Sequence, residues 1–182
     1  SLMRVSDKRG QTYHSMFQIA RDNNGGTNKI QLDQNRLQKL FPLLEKVSLV
    51  VMDEISMTGA EHFSQINSNM IQALRLYRER FGKDRLQHLD VDKPFLGMHF
   101  IASGDFDQID PVGGTSLATA MIQRCISQKL GGTKTKRKIQ VLDAANLFSQ
   151  FTAKFLTQQI RASGDRHHTQ VINSMKTIVW GC

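Results

Sequence analysis

Cysteine is scarce: Cys125 and Cys182 are the only two among 182 residues. They are too few and too far apart for a disulfide framework or a zinc site, which suits a reducing intracellular compartment. Ser1-Leu2-Met3-Arg4 has no apolar signal core, and no stretch approaches the roughly 18 apolar residues of a membrane span. Internal repeats and low-complexity tracts are missing too, so a soluble protein is expected. Acid is in the minority. Lys and Arg number 24 against 16 Asp and Glu, a formal charge of +8 with a pI near 9.8. That balance favours a polyanionic partner such as nucleic acid, or simply a solubilised surface. What remains is ordinary: 40% hydrophobic and 22% charged residues in 20.6 kDa, enough for one good core and part of a second.

Two apolar runs, Val47–Met52 and Met98–Ser103, read as strands of a sheet covered on both faces. Each ends in acid, the first at Asp53-Glu54 and the second at Gly104-Asp105. Between them Phe63, Ile66, Met70, Leu74 and Tyr77 recur at helical spacing, so a helix is expected over Ala60–Arg80. Strand, helix, strand is the crossover unit of an α/β fold with a mainly parallel sheet, whose ligands sit at the carboxyl ends of the strands. Asp22–Asn28 reads as a turn cluster and Gly131–Lys138 as an exposed basic loop, in which Lys134, Lys136, Arg137 and Lys138 are either solvated or weak phosphate contacts. A helix from Asp143 to about Phe151, a short strand near Lys154–Leu156 and a further helical pattern around Val171, Ile172 and Met175 complete the chain. His167-His168 sits in a polar turn with no ligand partner in the sequence.

Adjacent acids at a strand tip suit hydrolysis of a magnesium nucleotide: one carboxylate holds the metal, and its neighbour orients and deprotonates the attacking water. The dipeptide alone more often marks a solvated loop edge. Its surroundings change that. Val50-Val51-Met52-Asp53-Glu54-Ile55-Ser56-Met57 resembles motif II of the Pif-type and RecD-like superfamily-one DNA helicases. Downstream, Gly104-Asp105-Phe106-Asp107-Gln108-Ile109-Asp110-Pro111-Val112 is similar to that family's motif III. Gly10-Gln11-Thr12-Tyr13-His14-Ser15 resembles its Thr-x-His motif, and Leu156-Thr157-Gln158-Gln159-Ile160-Arg161 its motif IV.

The resemblance implies an α/β, RecA-like P-loop NTPase fold, incomplete at both ends. Residues 1–153 would form part of a first ATPase domain, 154–182 the start of a second, and 19–46 a wedge, pin or plain connector. It implies ATP and Mg2+ as cofactors, with Asp53 anchoring the metal and Glu54 acting as general base. Gly104 and Asp105 would complete the nucleotide side. Gln108 would sense the γ-phosphate and relay its state, since an amide donates and accepts at once. Arg161 would reach that phosphate with a permanently charged fork. Thr12, His14 and Ser15 would contact single-stranded or forked DNA. The implied activity is a 5′ to 3′ ATP-dependent DNA helicase serving repair, recombination or telomere maintenance, in the nucleus or mitochondrion of a eukaryote.

The chain also departs from the family pattern. Gly-x-x-x-x-Gly-Lys-Ser/Thr is absent; Tyr77–Asp84 lacks its first glycine and its hydroxyl. The phosphate loop is expected upstream of Ser1 and the final motifs downstream of Cys182, so this stretch should be inactive alone. Asp107 and Asp110 bring negative charge to motif III, where a carboxylate would repel a DNA phosphate or cap the loop. A degenerate, non-catalytic nucleic-acid-binding relic is the alternative reading. A metal-dependent nuclease built on Asp53, Glu54 and Asp105 is a weaker third.

Overall fold

The computed structural model describes residues 2–5, 8–19, 32–107, 110–130, 136–156 and 170. The chain divides into two compact units, Ser1–Gln150 and Phe151–Cys182.

Unit one opens with an antiparallel hairpin, β1 (Leu2–Val5) and β2 (Lys8–Thr12), pairing Leu2 with Thr12 and Met3 with Gln11. A short helix, α1 (Tyr13–Met16), follows at once. Two more short helices, α2 (Gln34–Gln38) and α3 (Phe41–Lys46), precede strand β3 (Leu49–Met52). After a 3₁₀ turn at Ile55–Met57 comes the long helix α4 (Ala60–Phe81), a second 3₁₀ turn at Pro94–Gly97, and strand β4 (His99–Ala102). Helices α5 (Leu117–Leu130) and α6 (Lys136–Phe148) close the unit.

β3 and β4 are parallel and in register, Leu49 opposite His99 through Met52 opposite Ala102, with α4 in the crossover between them. The expected strand–helix–strand unit is therefore present, and the fold is α/β. The expected cover on both sheet faces is not. Val50 and Met52 are buried, whereas Leu49, Val51 and Ile101 are about half exposed. Strand side chains alternate, so these three share the opposite face, which is left partly open among the described residues.

α4 forms where its apolar spacing predicts. Phe63, Ile66, Met70, Ala73 and Leu74 are fully buried, and Tyr77 nearly so. Glu61 in its first turn and Arg78 and Arg80 in its last match the helix dipole. Phe63, Phe95 and Phe100 form an aromatic knot on this helix, with Phe63–Phe95 centroids 5.2 Å apart and Phe95–Phe100 4.4 Å. Each fully buried ring or leucine contributes roughly 1.5–3 kcal/mol. At the far end the Tyr77 hydroxyl donates to Glu45 of α3 at 2.7 Å, and Phe41 stacks edge-on against Tyr77. The string that most resembles a phosphate loop is thus the tail of α4, closed by Gly82 at φ 109°.

Sequence and structure differ in two further places. Within residues 32–46, Leu37, Leu40, Leu43 and Leu44 are buried; residues 20–31, the whole turn cluster included, lie outside the described set. α6 begins at Lys136 rather than Asp143, which takes the end of the basic loop into a helix, and α5 has no counterpart among the expected elements. In unit two, Lys154–Leu156 is not a strand; Phe155 and Leu156 are almost fully exposed, and no ladder partner lies among the described residues. No helix among the described residues is long and apolar enough to cross a membrane.

Candidate nucleotide and DNA site

Register decides what meets at the strand tips. Because Met52 pairs with Ala102, Asp53 and Ser103 leave the sheet side by side. The Ser103 backbone N–H donates to the Met52 carbonyl at 2.9 Å, and the Ile55 N–H donates to the Ser103 carbonyl at 2.8 Å. The Ser103 hydroxyl donates to Asp53 Oδ1 at 2.6 Å, and the Glu54 N–H reaches the same oxygen at 3.0 Å. Ser103 first, then the Glu54 amide, hold the Asp53 carboxyl below its ordinary range. Both donors use Oδ1, so among the described residues Oδ2 has no protein donor. Gly104 lies flush against this turn: a Cβ there would sit 3.0 Å from the Ile55 and Ser56 backbone nitrogens.

Glu54 occupies the left-handed region, φ 53° and ψ 45°. That conformation costs a residue with a side chain on the order of 1–3 kcal/mol and is typical of functional turns. Its Oε2 is buried with no hydrogen-bond partner among the described residues. An orphaned buried carboxylate oxygen asks for a donor such as water. Beside it stands an exposed aspartate kept ionised. Hard oxygen ligands of this kind fit magnesium, and a bound water would satisfy Glu54.

Motif III divides. Asp105 is exposed, its Oδ1 accepting the Asp107 N–H at 3.0 Å in an Asx turn. Among the described residues no three His, Cys, Asp or Glu side chains converge, so Asp53, Glu54 and Asp105 do not form the cluster a nuclease reading needs. Gln108 and Arg161 lie outside the described residues, as do Lys134 and His167-His168. Asp110 is exposed beside buried Pro111.

Further along, this loop is tied to α4 by a carboxylate that sequence reasoning passed over. Glu61 is buried; Oε2 accepts the Thr115 N–H at 3.0 Å, and Oε1 accepts the Thr115 hydroxyl and Arg137 Nε, each at 2.9 Å. Burial pushes Glu61 up, but the Thr115 amide, its own N–H, Arg137 and the Thr115 hydroxyl outweigh it and hold the carboxyl below its ordinary range. Arg137 is therefore a helical residue of α6 that pairs with Glu61 while staying largely exposed, rather than a loop cation. Gly59 and Gly114 touch at this point, and a Cβ on Gly114 would come within 3.3 Å of Glu61 Oε2.

Thr12, His14 and Ser15 stand at the β2-to-α1 junction. The Thr12 oxygen caps α1 by accepting the Ser15 N–H at 3.4 Å, which leaves its own O–H able to donate. Thr12 and Ser15 are exposed and His14 is half-buried. The His14 ring stacks on Tyr13 at 4.0 Å and meets His62 edge-on at 5.1 Å. Tyr13 and His62 share a hydrogen bond of 3.1 Å between the phenol oxygen and Nδ1. Burial pushes the Tyr13 hydroxyl up to about 12 and His62 down.

Ser103, Glu61, Tyr13 and His62 are the site residues missing from the sequence reading. The available signals were a hydroxyl directly before Gly104-Asp105, an acid in the first turn of α4, and the middle residue of Thr-x-His. None of these names its partner.

A family model described as PIF1-like helicase matches residues 5–150. An ATP-dependent DNA helicase Pif1 from Psychrobacter sp. (strain PRwf-1) is 26% identical over 146 residues, covering 80% of this chain and 18% of that protein. The chain thus spans less than a fifth of the relative's length. No solved structure gives a significant match. With motif II bonded to Ser103, the residue that leads into motif III, and the family model covering unit one almost entirely, the chain belongs to the PIF1-like helicase family.

Proposed function

We propose that this chain is part of the motor of an ATP-dependent DNA helicase that moves 5′ to 3′ along single-stranded DNA and opens forked duplexes. The family and its Pif1 relative support DNA helicase activity. The observation that carries the residue roles is the Asp53–Ser103 bond beside the orphaned Glu54 Oε2. In this reading the fold is RecA-like, with 1–153 belonging to a first ATPase domain, 154–182 opening a second and 19–46 serving strand separation or connection.

Magnesium bound with ATP would neutralise charge on the β- and γ-phosphates. Asp53, kept ionised by Ser103, would hold that ion. Glu54, whose Oε2 has no hydrogen-bond partner among the described residues, would take the proton of the attacking water. Gly104 lets the loop after β4 pack closely on the turn after Glu54, and Asp105 would join the nucleotide side from that loop. Gln108 and Arg161 act as γ-phosphate sensor and charge-stabilising fork. Thr12, His14 and Ser15 contact the single strand through phosphate or base.

The test is Glu54→Gln in the intact parent protein. DNA-dependent ATP hydrolysis is expected to fall about 10²–10⁴-fold, the range for loss of a general base, with magnesium-ATP binding retained. Residues 1–182 alone are expected to turn over negligible ATP. Hydrolysis that survives Glu54→Gln overturns the assignment.

A further inference from the structure

The first turn of α4 faces two ways. On one side Glu61 grips Thr115 at the end of the motif III loop and Arg137 of α6. On the other, His62 shares a hydrogen bond with the Tyr13 hydroxyl and touches His14 edge-on. Backbone bonds hold the short path from this turn back to the acids: Ala60 N–H to the Thr115 carbonyl at 2.7 Å, and Ile55 N–H to the Ser103 carbonyl at 2.8 Å. None of these links was expected from sequence, and they join the Thr-x-His junction to the Asp53–Glu54 turn through one helix end.

We propose that Tyr13 and His62 are positioning residues that transmit DNA contact at His14 to the Asp53–Glu54 turn through the first turn of α4. This rests on the functional reading above, in which His14 meets the single strand and Glu54 activates water. A strand pressing on His14 displaces a ring that is stacked on Tyr13 at 4.0 Å and set against His62 at 5.1 Å. The rings pack closely and the Tyr13–His62 bond fixes their spacing. His62 therefore moves with His14, and the helix end moves with His62. Glu61, on the same turn, carries that movement into the loop that begins at Gly104. Packed elements of this kind shift between discrete arrangements rather than deform smoothly.

The experiment uses the intact helicase and compares ATP turnover with and without single-stranded oligonucleotide, alongside thermal melting. Tyr13→Phe keeps the ring and removes only the hydroxyl. The ratio of DNA-stimulated to unstimulated turnover is expected to fall at least about fivefold, the lower bound of usual coupling between sites, with the melting temperature nearly unchanged. His62→Ala should lower the ratio as well. His62→Asn, whose amide oxygen can accept the tyrosine proton near the Nδ1 position, should restore much of it. A lowered melting temperature with an unchanged ratio in Tyr13→Phe would make the cluster merely structural and overturn the coupling alone. A wild-type enzyme that DNA does not stimulate at all overturns the helicase reading together with it.

Discussion

Ser103 shows what one hydroxyl can do at a strand tip. It orders the Asp53 carboxylate through a 2.6 Å bond and keeps it ionised, while its backbone clamps Met52 and Ile55. Ser103→Ala removes only the side-chain part. The Asp53 carboxyl should then rise toward its ordinary value, and the acidic limb of the ATPase pH profile should move to higher pH with a raised magnesium requirement. An acidic limb identical to wild type would mean that Ser103 does not set the charge of Asp53. Legibility at this scale was uneven. Asp53 and Glu54 were readable because two acids after an apolar run stand out locally. Ser103 was not, since its importance comes from the register of two strands far apart in sequence.

Among the elements, α4 is the spine, and its periodic apolar face made it legible from end to end. Its first turn also carries Glu61, whose network with Thr115 and Arg137 braces two later segments. Glu61→Ala leaves the Thr115 amide without its acceptor and Arg137 without its carboxylate. The expected loss in unfolding free energy is about 1–3 kcal/mol, toward the lower end because the Arg137 side chain is 59% exposed and water already screens it. Its pH dependence has a definite sign. With the folded carboxyl held below its unfolded value, Glu61 contributes stability that is present above the ordinary glutamate range and lost as pH falls through the lowered folded value. Denaturant titration of wild type and variant at neutral and acid pH checks this, the two curves converging in acid. α6 and α5 were harder to read. The basic run at 134–138 looks like a solvated loop until a buried acid on another helix supplies a partner for Arg137.

For the whole molecule, the +8 charge is the widest-ranging property. If roughly three lysines or arginines neutralise phosphates of a single strand held at Thr12, His14 and Ser15, affinity should fall about tenfold or more between about 50 and about 200 mM salt. Fluorescence anisotropy of a labelled oligonucleotide on the intact protein measures this, and a flat salt dependence would remove the phosphate contacts. The second face of β3 and β4 separates expectation from structure: apolar runs imply a doubly covered sheet, yet Leu49, Val51 and Ile101 stay about half exposed among the described residues. By itself the sequence determined the strand–helix–strand order, the acids at the strand ends and the family, because periodicity, terminal residues and contiguous motifs are local. Only tertiary structure decided that Ser103 orders Asp53, that Glu61 claims Arg137 and that His62 meets Tyr13. Those bonds depend on strand register and helix packing, which bring together side chains whose separation along the chain carries no signal of their meeting.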